Sequence, residues 1–213
     1  MDGGWDTMRR VNPGFGRRRY SMTEVRDITI AILVLSFAFY MILRDGSHLY
    51  SDRTANALAL FGVSLLLVLT SFMLHELAHK FVAQRYGAWA EFRMYPFGLL
   101  IAVLFSFMGF LFAAPGAVYI DGAIDEERNG KISAAGPMAN LIVGGMATVL
   151  WFLTDGLASQ ILGLLAWLNA FFAAFNLLPF PPLDGSKIYG WNAPLYIGMF
   201  ALAAVILILQ FLY

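Results

Sequence analysis

Residues 65–87 read LLLVLTSFMLHELAHKFVAQRYG. The first ten are almost wholly apolar, and His75, Glu76 and His79 follow without a polar break. An apolar run of roughly 20 residues crosses a bilayer as a helix. Ionisable side chains inside such a run are costly and mark functional sites. One stretch therefore poses both problems: a helix built for lipid, and a reason for it to carry two histidines and a glutamate.

The composition supports the membrane half of that reading. The chain has 213 residues, 60% hydrophobic and 13% charged, with a mean hydropathy of +0.69. A soluble domain carries about 25% charged residues. Apolar segments at 27–43, 56–86, 134–153, 157–178 and 194–213 are candidate spans. The expected architecture is an all-α polytopic membrane protein of about five transmembrane helices. To these we add a further apolar segment at 97–114 and a short membrane-surface β-hairpin at about 116–133. The hairpin rests on the β-branched and aromatic run GAVYID and the turn-forming pair Asn129-Gly130. The small residues of 134–153 suit a closely packed helix.

Cysteine is absent, which excludes disulfides and thiolate metal sites. Arg9, Arg10, Arg17, Arg18, Arg19 and Arg26 precede the first span. They read as a topological signal that keeps the N-terminus cytoplasmic, with no nucleic-acid partner expected. Residues 1–26 are expected to form a flexible basic tail, without the apolar core of a signal peptide. Residues 27–213 then make one membrane-embedded domain, with a catalytic core at about 56–190.

His75 and His79 are four residues apart, so on a helix both imidazoles share a face one turn apart. That spacing holds one metal ion. Glu76, rotated by about 100°, can reach a water at the open position without being a ligand. A chance pattern, or a charged interfacial helix end, explains a glutamate and a lysine there but not the histidine pair. Two histidines and a carboxylate with one open position form a catalytic zinc site. His48, in the loop 44–54, lies some 27 residues upstream, about 40 Å along a helix, and reads as an interfacial residue. Asp184 is the better third ligand. It follows an apolar helix broken by Pro179, Pro181 and Pro182, and irregular backbone at membrane depth needs protein or a water cavity to satisfy it. Alone, an Asp before Gly185 would read as a turn residue.

The two motifs together, HELAH at 75–79 and Asn176-Leu-Leu-Pro179-Phe-Pro-Pro182-Leu-Asp184-Gly185, resemble those of the site-2 protease family of intramembrane metalloproteases (peptidase family M50). The Ala135-Gly136-Pro137…Asn140 stretch is also similar to the family's helix between the motifs. The resemblance spans about 65–190. It implies one zinc ion per chain held by His75, His79 and Asp184, with Glu76 as general base. It further implies that Asn176 steadies the substrate carbonyl or its oxyanion, an amide donor suiting acyl transfer. An interhelical hydrogen bond is the other role open to Asn176, and Asn140 reads as structural. No PDZ domain is expected between the motifs and no CBS domain after the last span. The implied activity is hydrolysis within or near transmembrane segments of a membrane-protein substrate, such as a membrane-anchored regulator, in the cell membrane. The alternative is a membrane zinc-binding or transport protein without proteolysis.

The two motifs can meet only at one depth. If 97–114 crossed the membrane, Asp184 would emerge on the side opposite His75 and His79. We therefore expect 97–114 to be re-entrant, with Gly109 as its bend, and the site to lie toward the cytoplasm. The acidic balance of 116–133 opposes a cytoplasmic position only weakly, because acidic residues carry little weight in topology. In that arrangement GAVYID offers an edge for an extended substrate segment to pair with.

Overall fold

The structure is a computed structural model that describes residues 20–46, 55–111 and 114–213. His48 and residues 1–19 lie outside the described residues. Helix α1 spans Met22–Gly46. Helix α2 (Ala55–Val68) continues through a π-helical turn, Leu69–Met73, into α3 (Leu74–Arg85). Strand β1 (Trp89–Met94), helix α4 (Pro96–Ser106) and strand β2 (Gly116–Asp121) follow. The chain ends with α5 (Glu126–Phe152), α6 (Gly156–Asn176), the short α7 (Asp184–Trp191) and α8 (Ala193–Leu212). Among the described residues, five helical segments are long and apolar enough to cross a membrane: Met22–Arg44, Ala57–Arg85, Glu126–Phe152, Gly156–Asn176 and Ala193–Leu212. The protein is a mostly helical, multi-pass membrane protein, as expected.

Two boundaries differ from the sequence reading. Residues 22–26 belong to α1 and not to a tail. Ser21 caps the helix by accepting the Glu24 N–H at 3.1 Å, and Glu24 is fully buried. The second difference concerns the hairpin. The two-stranded sheet exists, but β2 pairs antiparallel with β1, in a register running from Trp89 opposite Asp121 to Met94 opposite Gly116. The expected second arm is the start of α5. Asp125 caps that helix, its Oδ1 accepting the Arg128 N–H at 2.8 Å. With Glu126 and Glu127 in the first turn, the positive end of the helix dipole is matched. This cap outweighs the turn preference of Asn129-Gly130, which becomes helical.

Pairing β1 with β2 decides the path of the segment between them. The Tyr95 N–H donates to the Pro115 carbonyl at 2.9 Å, closing the base of the excursion. Helix α4 has 11 residues, about 16 Å of rise, half of a hydrocarbon core of about 30 Å. Past α4 the chain turns at Gly109, whose φ is +82°, and returns beside the start of the helix. A Cβ at Gly98 would lie 2.0 Å from the Ala114 carbonyl oxygen. The segment 97–114 thus begins and ends at the same end of the sheet.

A buried ion pair ties α1 to α3. Lys80 Nζ lies 2.6 and 2.5 Å from the two carboxylate oxygens of Glu24, and neither side chain is exposed. Glu24 Oε1 also accepts the Phe92 N–H of β1 at 2.9 Å. One carboxylate therefore joins α1, α3 and β1 just outside the candidate site.

Candidate metal centre

Among the described residues, His75, His79 and Asp184 are the one group of three histidine or carboxylate side chains whose ligand atoms converge. The His75 and His79 Nε2 atoms are 3.0 Å apart. Asp184 Oδ2 lies 3.4 Å from the first and 3.1 Å from the second. Three ligands at zinc–nitrogen and zinc–oxygen distances of about 2.0–2.2 Å stand about 3.3 Å apart in a tetrahedron. The triangle is of that size.

The donor chemistry also asks for a cation. His75 Nδ1 lies 2.6 Å from Asn140 Oδ1, and His79 Nδ1 lies 2.7 Å from the Ile132 carbonyl. Both partners are acceptors, so each Nδ1 carries the proton. Each neutral ring then turns a bare Nε2 lone pair toward the other and toward a carboxylate oxygen. Three electron-rich atoms at such distances repel unless positive charge sits among them. Lys187 Nζ stands 3.8 Å from Asp184 Oδ1.

The space for an ion is made by Gly136. A Cβ on this residue would lie 2.4 Å from His79 Nε2 and 2.6 Å from His75 Nε2. The residues present therefore fit a zinc ion. Pro137 follows Gly136 inside α5, where both are buried.

Elements from four parts of the chain form the site. Helix α3 carries His75 and Glu76 side by side and His79 one turn further on. Helix α5 contributes Gly136 and Asn140. The break between α6 and α7, which includes a cis Pro181–Pro182 bond, leaves Asp184 at the N-terminus of α7. Strand β2 closes the near side, and the Val118 N–H donates to Glu76 Oε2 at 3.0 Å. A cavity of about 490 Å³ lies between β2 and the α6–α7 break, and its lining includes His75, Glu76, His79, Val118, Asn176 and Asp184. Asn176 Nδ2 donates to the Phe172 carbonyl at 2.9 Å, a bond within its own helix and not between helices.

All five sequence-derived site residues thus share one cavity. Sequence reasoning missed Gly136 as a space-making residue, although the Ala135-Gly136-Pro137 stretch carries part of the resemblance. It also missed Asn169, fully buried on α6. A lone amide in the apolar run LLAWLNAFF was the available signal, since polar groups at membrane depth seek partners.

The fold and site define a multi-pass membrane protein with a two-histidine, one-aspartate constellation and an adjacent glutamate. The sequence model of peptidase family M50 matches residues 153–191. A Methanocaldococcus jannaschii protein named as an inferred zinc metalloprotease is 36% identical over 178 residues, covering 82% of this chain and 87% of that protein. Another from the same organism, named a zinc metalloprotease, is 28% identical over 172 residues, 79% of this chain and 44% of its own length. A Bacillus subtilis protein named as an inferred zinc metalloprotease is 30% identical over 154 residues, 62% of this chain and 69% of that protein. No solved structure matches the chain. The chain belongs to peptidase family M50, the site-2 protease family of metallopeptidases.

Proposed function

We propose that the protein is an intramembrane zinc endopeptidase that hydrolyses peptide bonds within or beside transmembrane segments of other membrane proteins. The observation that carries this reading is the meeting of His75, His79 and Asp184 beside Glu76 in the wall of one cavity. His75, His79 and Asp184 would hold one zinc ion, which when bound would supply Lewis acidity toward a water and a peptide carbonyl. Glu76 takes the proton of the attacking water and delivers it to the leaving amine. Asn176, in the lining of the same cavity, orients the scissile carbonyl and stabilises its developing charge, exchanging its bond to Phe172 for one to substrate.

A helical substrate hides its peptide bonds in its own hydrogen bonds and must be extended before water can attack. Strand β2 suits that task. The Phe92 N–H of β1 turns to Glu24, and that of its cross-strand partner Val118 turns to Glu76. The outer edge of β2 therefore faces the cavity, where an extended segment adds as a third strand. The N-terminus is cytoplasmic, and the site lies toward that side. The product is a soluble segment released to the cytoplasm from a substrate such as a membrane-anchored regulator.

Glu76→Gln tests the reading. With zinc content measured alongside cleavage of a model transmembrane substrate, the variant should retain zinc and lose at least about 100-fold in rate, as expected for a lost general base. A zinc-binding or transport protein needs ligands and no base. Unchanged activity in Glu76→Gln would therefore replace the protease reading with that one.

A further inference from the structure

The metal-facing nitrogen of His75 is set by residues that lie off its own helix. Asn140 Oδ1 faces His75 Nδ1 at 2.6 Å. The amide of Asn140 is held in this orientation because its Nδ2 donates twice, to the Ser71 carbonyl at 2.7 Å and to Asn169 Oδ1 at 2.9 Å. Asn169 is fixed in turn, since its Nδ2 donates to the Leu165 carbonyl at 2.9 Å. Asn140, Asn169 and His75 are all buried. The chain of amides reads in one direction only. Reversing Asn169 would set its Nδ2 against the Nδ2 of Asn140. Reversing Asn140 would present donors to His75 and leave its oxygen against the Ser71 carbonyl.

The π-helical turn belongs to the same device. Its closing bond runs from the Leu74 N–H to the Leu69 carbonyl, a reach of five residues that shifts the following α-helical register. The Ser71 carbonyl lies inside this turn, and Asn140 takes it as an acceptor. Such π-turns concentrate at functional sites. Here the turn and the amide chain fix His75 from two directions.

We propose that Asn169, acting through Asn140, is a positioning residue that holds His75 protonated on Nδ1 and aims Nε2 at the metal. Asn169 touches neither metal nor substrate. The proposal rests on the metal site proposed above, and a partner for the distal nitrogen of a metal-bound histidine alters affinity by about 10- to 100-fold.

The test uses the full chain in detergent, with zinc affinity measured by chelator competition and the visible spectrum recorded after cobalt substitution. Asn169→Leu and Asn169→Ala remove the acceptor. Each should weaken zinc binding about 10- to 100-fold and alter the cobalt spectrum, while the metal-free protein keeps its helix content. Asn169→Asp, protonated when buried, can still accept from Asn140 and donate to Leu165, and it should restore near-native affinity and spectrum. A purely structural role would lower the melting temperature of the metal-free protein and leave affinity and spectrum unchanged; that result in either apolar variant overturns the proposal. If neither apolar variant folds, wild type decides. In the metal-free state the ¹⁵N shifts of His75 should report a protonated Nδ1 and a bare Nε2, and the opposite tautomer overturns the proposal. Wild-type protein that binds neither metal overturns the metalloprotease reading itself, and this proposal with it.

Discussion

Gly136 is a residue at which the proposed metal centre would be sensitive to a single change. Its missing side chain is the space between two imidazole nitrogens, and a methyl group placed there would sit within 2.4 Å of one of them. The obstruction is a Cβ on helix backbone, opposed by side chains that are themselves hydrogen-bonded and buried, so little can move aside. Gly136→Ala should therefore abolish stoichiometric zinc while helix content by circular dichroism stays native. Zinc bound at wild-type affinity would show that the ion sits elsewhere. Glu76 is a different case at the same scale. It lines the cavity and converges with the ligands without joining their triangle, so its replacement separates chemistry from binding, as the Glu76→Gln experiment above uses.

At the scale of elements, the sheet and the buried ion pair hold the site from outside. Breaking one partner of a buried pair strands the other charge and costs about 3–5 kcal/mol. Glu24→Gln, which leaves Lys80 unpaired between α1 and α3, should destabilise the protein by that amount in reversible unfolding from detergent micelles. Adding Lys80→Met should recover most of the loss. The unpaired charge is then gone, while the introduced amide oxygen can still accept the Phe92 N–H. A double variant no better than the single would show that Glu24 acts mainly through β1. Strand β2 has a separate role. Val118→Pro removes the N–H that donates to Glu76 from the open edge. Cleavage of a transmembrane substrate should fall at least tenfold, about 1.4 kcal/mol of barrier, with zinc content unchanged. Native cleavage rates would exclude pairing along this edge.

The whole molecule makes a claim about sidedness. In the proposed reading the five candidate spans cross in turn and 97–114 returns to its own side, so that the inner end of α3, the start of α5 and the α6–α7 break share one face. The arginines before α1 would put that face in the cytoplasm. The protein has no cysteine, so Glu126→Cys gives a single labelling site at the start of α5. An impermeant thiol reagent should reach it only after the cytoplasmic side is opened. Labelling of intact cells would reverse the orientation or require 97–114 to cross.

Much of this was legible along the chain because membranes impose local rules. Apolar length gave the spans, since lipid offers no partner for a backbone polar group. The i, i+4 histidines pointed to a metal site because a helix places them on one face whatever surrounds it. Asp184 could be matched to them by elimination and resemblance, and the re-entrant path followed from requiring the two motifs to meet. The partner of β2, the helical state of Asn129-Gly130 and the role of Glu24 were not legible. Each depends on a residue far away in sequence or on competition between a cap and a turn, and local preference does not rank such alternatives. Asn169 and Gly136 belong to that second group. A polar amide in an apolar helix and a glycine before a proline each have several local meanings. Only packing α3 against α5 and α6 makes one of them a link in the hydrogen-bond chain to His75 and the other the room a metal needs.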